Sequence, residues 1–592
     1  MISLAVSFIF LQVNNNILIL FYIYIVIKKT YEYACFYVDC QLLVSGLLIQ
    51  LPDGRVEGTT DTTRAGTTYH SFLAMRYAEP PIGQLRFQPA QAVSPWNDTY
   101  DATSEKNICY QVNEDSIKES EDCLFVNVFS PKNLTSTPIE SDLTVMVWIH
   151  GGGFIQGAGY MNEGGVGPKF FMDEDVVLVA FNYRLGPFGF LSTGDKRIPG
   201  NLGLKDQVFA LKWVQQNIKY FGGDPNKVTI FGQSAGSSSV SYQLLSSQSE
   251  GLYRAAILES GTALSPWAYQ RYERDISFLT AKYIDPDFNG TTSDDLLDFL
   301  NTASADSIDK ASAELNSHYE NASNYQISKG FFYAPVIEVS HNDAFLTKPQ
   351  YGLFENGTFN KVPIIMGMNA EESLALLSGD PSYLWKIYDS QPEVLVPFDM
   401  HIENEELKKS IGSKIKDFFA AEGFENSLAN SIKYHSVHDF DKAGIKQAQL
   451  ISAYTSVYFY NFVYSGVMGN NINNKLNGTG NVTHSEELNY IFSKWYSNEI
   501  PDNTDLSYFP KSDKVVHDNL MALWTNFAKN LVPTTNVNKS EAFQWDPVDP
   551  EEFKYLEIGE QLLMKKGYPK SEKYIFWDQL YTDYAVPPFD TF

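Results

Sequence analysis

Gly232-Gln233-Ser234-Ala235-Gly236 follows the β-prone run Lys227-Val228-Thr229-Ile230-Phe231 and precedes the small residues Ser237-Ser238-Ser239-Val240. A serine between two glycines, at the end of a strand and the start of a helix, describes a nucleophile elbow. The sharp turn strains the serine backbone and leaves no room for Cβ atoms on either side. The hydroxyl then stands in the open, where it can attack a carbonyl carbon. A second cluster, His150-Gly151-Gly152-Gly153-Phe154, comes directly after the apolar run Thr144-Val145-Met146-Val147-Trp148-Ile149. Three successive glycines at a strand end let backbone N–H groups approach a ligand oxygen, and with the N–H of Ala235 they can cradle an oxyanion. Taken alone, a triple glycine reads as a flexible loop.

A serine of this kind needs a histidine base and an acid to orient it, expected in the chain order serine, acid, histidine. Of the histidines downstream, His517 falls in the helix-like run Asp513-Lys514-Val515-Val516-His517-Asp518-Asn519-Leu520. His401, His435 and His438 lie among charged and polar residues and read as ordinary surface or helix histidines. His484 differs: it ends the loop Asn477-Gly478-Thr479-Gly480-Asn481-Val482-Thr483 and precedes Ser485-Glu486-Glu487-Leu488, where Ser485 is placed to cap a helix start. The acid is expected just past the apolar strand Val362-Pro363-Ile364-Ile365-Met366-Gly367, on the rim where α/β sheets place ligands. Glu371 and Glu372 both stand there; spacing does not choose between them, and either alone reads as a solvated loop charge.

With these motifs come Tyr77-Ala78-Glu79-Pro80-Pro81-Ile82-Gly83, Ser120-Glu121-Asp122-Cys123-Leu124, Asn182-Tyr183-Arg184-Leu185-Gly186-Pro187-Phe188-Gly189-Phe190 and Phe221-Gly222-Gly223-Asp224-Pro225. On them the chain resembles the type-B carboxylesterases, the family that also holds the cholinesterases, from approximately residue 47 to residue 580. The resemblance implies an α/β-hydrolase fold, a large, mostly parallel central sheet covered by helices on both faces. It implies a Ser234, Glu372, His484 triad, oxyanion donors at Gly152, Gly153 and Ala235, and Ser260 hydrogen-bonding near the triad. Trp267 matches an acyl-pocket wall, Arg86 with Glu121 and Arg184 with Asp206 match structural salt bridges, and Cys109 and Cys123 match a disulfide. Closing that short loop stabilises by about 3 kcal/mol in the chain-entropy model. Gln233, where cholinesterases usually carry Glu, is similar to the juvenile-hormone esterases, and Phe190-Leu191-Ser192-Thr193-Gly194-Asp195 resembles the arthropod esterases. No Trp lies between Cys109 and Cys123, where cholinesterases carry the ring that binds quaternary ammonium. The alternative within the family is a noncatalytic adhesion protein resembling neuroligin or neurotactin; such proteins lose triad residues, and here every triad position is filled.

The elements that must position these residues are legible as apolar, strand-like runs at residues 145–149, 176–181, 228–231, 256–258, 364–366 and 457–462, alternating with helical patterns. In one of these Leu211, Val214, Ile218 and Phe221 share a face, ended by Gly222-Gly223. Such alternation indicates a largely parallel sheet covered by helices, read as one domain over residues 47–592.

A formal charge of −27 over 592 residues excludes phosphate-binding basic patches and reads otherwise as a solubility statement. The expected partner is a small-molecule ester, with no nucleic acid and no stable membrane partner; oligomeric state is left open. The four cysteines have no histidines at zinc spacing, so no metal and no cofactor is expected. A disulfide and the sequons at Asn97, Asn133, Asn289, Asn321, Asn356, Asn477, Asn481 and Asn538 fit a secreted glycoprotein in an oxidising compartment. Residues 1–46 are expected to be a signal-like or poorly ordered segment outside the mature domain. They hold two apolar runs, 2–13 and 17–27, split by Asn14-Asn15-Asn16 and followed by Lys28-Lys29, together with Cys35 and Cys40.

Overall fold

The computed structural model describes residues 2–13, 16–29, 32–36, 47–111, 119–135, 139–159, 167–320, 330–375, 382–469, 476–493, 503–535 and 543–592. They divide into two units, residues 1–48 and residues 49–592. In the first, Ile2–Val13, Asn16–Lys29 and Glu32–Phe36 pair as antiparallel strands, Ile2 opposite Ile27 and Ile25 opposite Phe36. Cys40 lies outside the described residues. Among the described residues no helix is long and apolar enough to cross a membrane.

The second unit is built on one sheet. Its longer strands are β1 (Arg55–Thr62), β2 (Thr68–Arg76), β3 (Phe125–Ser130), β4 (Leu143–Ile149), β5 (Val176–Phe181), β6 (Gly223–Gln233), β7 (Ala255–Glu259), β8 (Ile364–Asn369), β9 (Val457–Phe462), β10 (Lys554–Ile558) and β11 (Leu562–Lys566). They lie side by side in the order β11-β10-β9-β8-β7-β6-β4-β5-β3-β2-β1. Every neighbouring pair from β5 to β10 is parallel. β3 runs antiparallel to β5 and β2, and β11 antiparallel to β10. The apolar runs read from the sequence are thus the strands of the parallel centre. The antiparallel strands β1, β2, β3 and β11, and the parallel strand β10, were not among them.

Both faces of this centre are buried, which is what turns alternating strands into continuous apolar runs. Met146, Trp148, Leu178, Ala180, Phe231 and Ile257 join one cluster with Leu520, Leu523, Trp524 and Phe527. Their chain neighbours Val145, Val147, Val177, Val179, Ile230 and Ala256 are 0 % exposed on the opposite face. Helix α1 (Leu202–Asn217) continues as a 3₁₀ turn, Ile218–Phe221, and stops at Gly222 with φ 81°. Leu211, Val214, Ile218 and Phe221 are all buried, as their shared face requires.

Helix α2 (Ala235–Leu245) has no exposed side. Its small polar residues suit that place: Ser237 Oγ donates to Gly261 O at 2.6 Å, Ser238 Oγ to Thr262 O at 3.0 Å and Ser241 Oγ to Gln447 Oε1 at 2.8 Å. The hydroxyls are therefore satisfied while the helix lies close to the strands.

Cys109 and Cys123 are joined as a disulfide. Arg86 clamps Glu121 through Nε and Nη2, both at 2.6 Å, and its Nη1 donates to Leu300 O and Ala303 O. Arg184, just past β5, holds Asp206 on α1 at 2.7 and 2.6 Å, with side chains 4 % and 0 % exposed. Removing one member of so buried a pair leaves the other uncompensated. Asp206→Ala should cost about 3–5 kcal/mol in urea unfolding, and Arg184→Met with Asp206→Leu should recover most of it.

Candidate active site

The elbow takes the strained form its sequence demands. Ser234, between β6 and α2, has φ 59° and ψ −126°, a region that costs a non-glycine residue roughly 1–3 kcal/mol. A Cβ on Gly236 would stand 2.0 Å from Ile149 O, and one on Gly232 2.6 Å from the same carbonyl, so both flanking positions exclude side chains. Ser234 N–H donates to Glu259 O at 2.8 Å and Ser234 O accepts from Ser238 N–H at 2.9 Å, which fixes the turn from both sides. Ser234 itself is partly exposed amid buried neighbours.

The glycine loop lies beside it. A Cβ on Gly151 would come 3.1 Å from Ser234 Cβ. Gly152 and Gly153 have φ 107° and 61°, and the Gly152 carbonyl is turned back to accept from Ile155 and Gln156 N–H at 3.1 and 3.0 Å. Among the described residues, neither Gly152 N–H nor Gly153 N–H donates to a backbone carbonyl. The N–H of Ala235, first residue of α2, has no partner within its helix. These donors are available to an oxyanion. His150 anchors the loop: its ring stacks on Tyr183 at 4.3 Å and Nδ1 donates to Gly151 O at 2.9 Å, while burial pushes its imidazole down to about 4.

Glu372 and His484 meet at the far side. Glu372 Oε2 accepts from His484 Nδ1 at 2.6 Å, and Oε1 accepts from Ser260 Oγ at 2.7 Å and Asn369 N–H at 2.6 Å. Glu371 does not touch the imidazole. It is 5 % exposed and holds the histidine loop instead, its N–H donating to Val482 O and its Oε2 accepting from Gly480 N–H at 2.9 Å. Neither glutamate is a solvated loop charge. Ser485 does not cap a helix: it has a left-handed backbone, φ 67°, where an N-cap is extended, and no side-chain cap bond, and the segment after it is a 3₁₀ turn, Glu486–Tyr490. Of the other histidines, His435 and His438 are buried on helical turns, bonded to Asp439, so neither is a surface group.

The partner of His484 Nε2 is the Gln233 side chain, whose Nε2 donates to it at 3.0 Å. Among the described residues no hydrogen bond joins Ser234 Oγ to the imidazole. Gln233 is 4 % exposed, and its register in β6 fixes its aim. The sequence pointed to the residue but not to this contact.

An aromatic wall borders the site. Phe331 lies 3.5 Å from a Cβ on Gly153, and Trp267 lies 5.5 Å from Phe331, 6.3 Å from Phe154 and 5.7 Å from Phe440. Phe440 reaches His484 at 4.7 Å. Phe440 belongs to a π-helical turn, Ser436–Asp441, inserted between two α-helical segments. That turn is pinned by Trp267 Nε1 donating to Asp439 O at 2.7 Å and Ser373 N–H donating to Ser436 Oγ at 3.1 Å. Neither Phe331 nor Phe440 was foreseen, since nothing in sequence spacing links residues 267, 331, 440 and 484. Among the described residues no group of His, Cys, Asp and Glu side chains is arranged to hold a metal ion.

A carboxylate in place of the Gln233 amide would face His484 Nε2 and favour the imidazolium. Gln233→Glu should therefore move the acid limb of ester turnover to higher pH by about one unit or more, read from kcat/KM against pH.

Comparison with known proteins places the chain in a family. The family model described as the carboxylesterase family matches residues 45–577. A carboxylic ester hydrolase of Bombus ignitus is 31 % identical over 555 residues, covering 89 % of this chain and 93 % of that protein. The juvenile hormone esterase of Tribolium castaneum is 33 % identical over 533 residues, covering 84 % and 86 %. The crystal structure of the juvenile hormone esterase from Manduca sexta, with OTFP covalently attached, superposes with a TM-score of 0.78 at 26 % identity, covering 91 % of this chain and all of that one. The chain belongs to the carboxylesterase family, has the α/β-hydrolase fold and is a carboxylic ester hydrolase.

Proposed function

We propose that ester cleavage proceeds in two steps through an acyl-enzyme on Ser234. His484 takes the serine proton, Glu372 holds the ring and stabilises its charged form, and Gly152, Gly153 and Ala235 bind the oxyanion; water then repeats the attack. The observation that carries this reading is the Glu372–His484 contact at 2.6 Å, with His484 Nε2 turned to the residue next to a strained, partly exposed serine. With its proton on Nδ1 toward Glu372, the ring has an Nε2 lone pair for a proton. That lone pair now accepts from Gln233, so Ser234 gains it as substrate draws the serine toward the imidazole; catalytic hydrogen bonds commonly tighten only in the substrate complex. The covalent OTFP adduct of the Manduca sexta esterase supports a covalent step on this fold.

The substrates are neutral lipophilic esters, in xenobiotic or hormone and lipid-ester metabolism. Support comes from the apolar wall of Phe154, Trp267, Phe331 and Phe440 and from the uncharged Gln233 beside the nucleophile. The protein acts outside the cell, with residues 1–46 dispensable to the domain over residues 47–592. The disulfide supports this, as do the exposed sequon residues Asn97, Asn133, Asn289, Asn356, Asn477 and Asn481. Asn321 and Asn538 lie outside the described residues.

An organophosphate should label Ser234 stoichiometrically, and Ser234→Ala should abolish both labelling and turnover. Labelling that persists in the variant would remove Ser234 from the role. Across a substrate panel, a short-chain aryl ester or a methyl terpenoid ester should exceed acetylcholine in kcat/KM by about ten- to hundredfold, since no carboxylate beside the nucleophile attracts the ammonium. Acetylcholine as the best substrate would overturn the neutral-ester reading.

A further inference from the structure

Gln233, Glu259, Gly367 and Tyr460 are register partners across β6, β7, β8 and β9. Partners in parallel strands send their side chains to the same face. Gly367 sends none, and the Tyr460 ring fills its place: a Cβ there would stand 2.3 Å from Tyr460 Cδ1. Glu259, 0 % exposed, is thereby enclosed with Tyr460 and with Trp524 of helix α3 (Lys511–Asn530), whose Nε1 donates to Glu259 Oε1 at 2.6 Å. Glu487, 1 % exposed, comes from the turn after His484, and its Oε2 accepts from Asn369 Nδ2. Each carboxyl has one oxygen satisfied. Among the described residues Glu259 Oε2, Glu487 Oε1 and Tyr460 Oη have no partner.

We infer that Glu259 and Glu487 hold one proton between them, Glu259 Oε2 and Glu487 Oε1 forming a carboxyl–carboxylate hydrogen bond, and that this pair positions the Glu372–His484 couple above it. The two unsatisfied oxygens, one on each acid, are what a shared proton would satisfy. Glu487 repels Glu259, and two buried carboxylates so placed do not both ionise at neutral pH without a cation. The groups that face them supply none: Tyr460, Trp524 and Asn369 are neutral, Glu372 repels Glu487, and His484 attracts it only when charged. Burial first, and then the charge of Glu487 on Glu259 and of Glu372 on Glu487, raises the affinity of both acids for a proton.

Asn369 transmits the pair's position upward. Its N–H donates to Glu372 Oε1, and its Nδ2 donates both to Glu487 Oε2 and, at 2.7 Å, to Thr483 O, the carbonyl just before His484. Glu259 also reaches the elbow, since its carbonyl accepts the N–H of Ser234. With one proton retained the pair carries a single negative charge; a second charge would hold His484 as the imidazolium and remove the base. This electrostatic role rests on the reading of His484 as the base.

Infrared difference spectra and pH–rate profiles test it. At pH 8 the wild-type minus Glu259→Gln spectrum should show the carbonyl stretch of one protonated carboxylic acid. Subtraction removes the raised carboxyls outside the pair, such as Asp441, which burial pushes up to about 7. In Glu259→Gln the amide donates in place of the proton, so the charge and the acid limb of kcat/KM should stay where they are. Glu259→Gln with Glu487→Gln removes the charge, and the acid limb should move roughly one unit to lower pH. An absent band, or an acid limb that shifts as far in the single variant as in the double, overturns the shared proton. If Glu259→Gln does not fold, Glu487→Gln must delete the same band. A band that behaves as stated beside unlabelled Ser234 would sink the triad and leave the proton pair standing.

Discussion

A carboxylate with no exposed surface must be fully hydrogen-bonded or it will not stay charged, and Glu372 is such a group. Its donors come from three separate segments: Ser260 just past β7, the backbone of Asn369 at the end of β8, and His484 in a loop far along the chain. The first two share one edge because β7 and β8 are parallel and in register, Glu259 opposite Gly367. The third is brought over by main chain as well as side chain, His484 N–H donating to Glu372 O at 3.1 Å. The sheet register and the orientation of the imidazole are therefore one constraint, and a slip of either strand would leave a buried charge without donors.

The strain at Ser234 is sustained by the same frame. Its backbone conformation persists because Glu259 O, Ser238 N–H and two side-chain-free neighbours over-determine it. Glu259 thus works in two directions, its carbonyl holding the Ser234 turn and its carboxyl lying beneath the histidine loop.

The parts that were legible in the sequence are those whose cause is local. The elbow, the glycine loop and the parallel strands each arise from a few consecutive residues, so their types reveal them. Strand β3 was passed over because an apolar-run criterion rejects Asn127 and Ser130. Both are 0 % exposed, Asn127 satisfied by Ala74 N–H and Gly159 O and Ser130 by Phe221 O. Ser485 misled for a related reason: an N-cap pattern is local, but the path of the histidine loop leaves Ser485 in a left-handed conformation, φ 67°, unlike the extended backbone of an N-cap. The choice between Glu371 and Glu372, the Gln233–His484 contact and the Phe440 turn depend on segments tens to hundreds of residues apart, and only the folded chain brings them together.

The charge of −27 looked like a property of the surface. Around His484 it is not: Glu371, Glu372, Glu486 and Glu487 are 5 %, 0 %, 2 % and 1 % exposed. Each accepts a donor on or beside the loop that carries the histidine, namely Gly480 N–H, His484 Nδ1, Thr483 N–H and Asn369 Nδ2. A loop with four glycines and asparagines before His484 has little packing of its own to hold it. Carboxylates supply the order instead, because a charged acceptor makes hydrogen bonds roughly twice as strong as a neutral one. The cost is mutual repulsion among acids in a dry space, and it can be met by retaining protons. The ordering of the histidine and the protonation of the acids beneath it are thus two consequences of a single design.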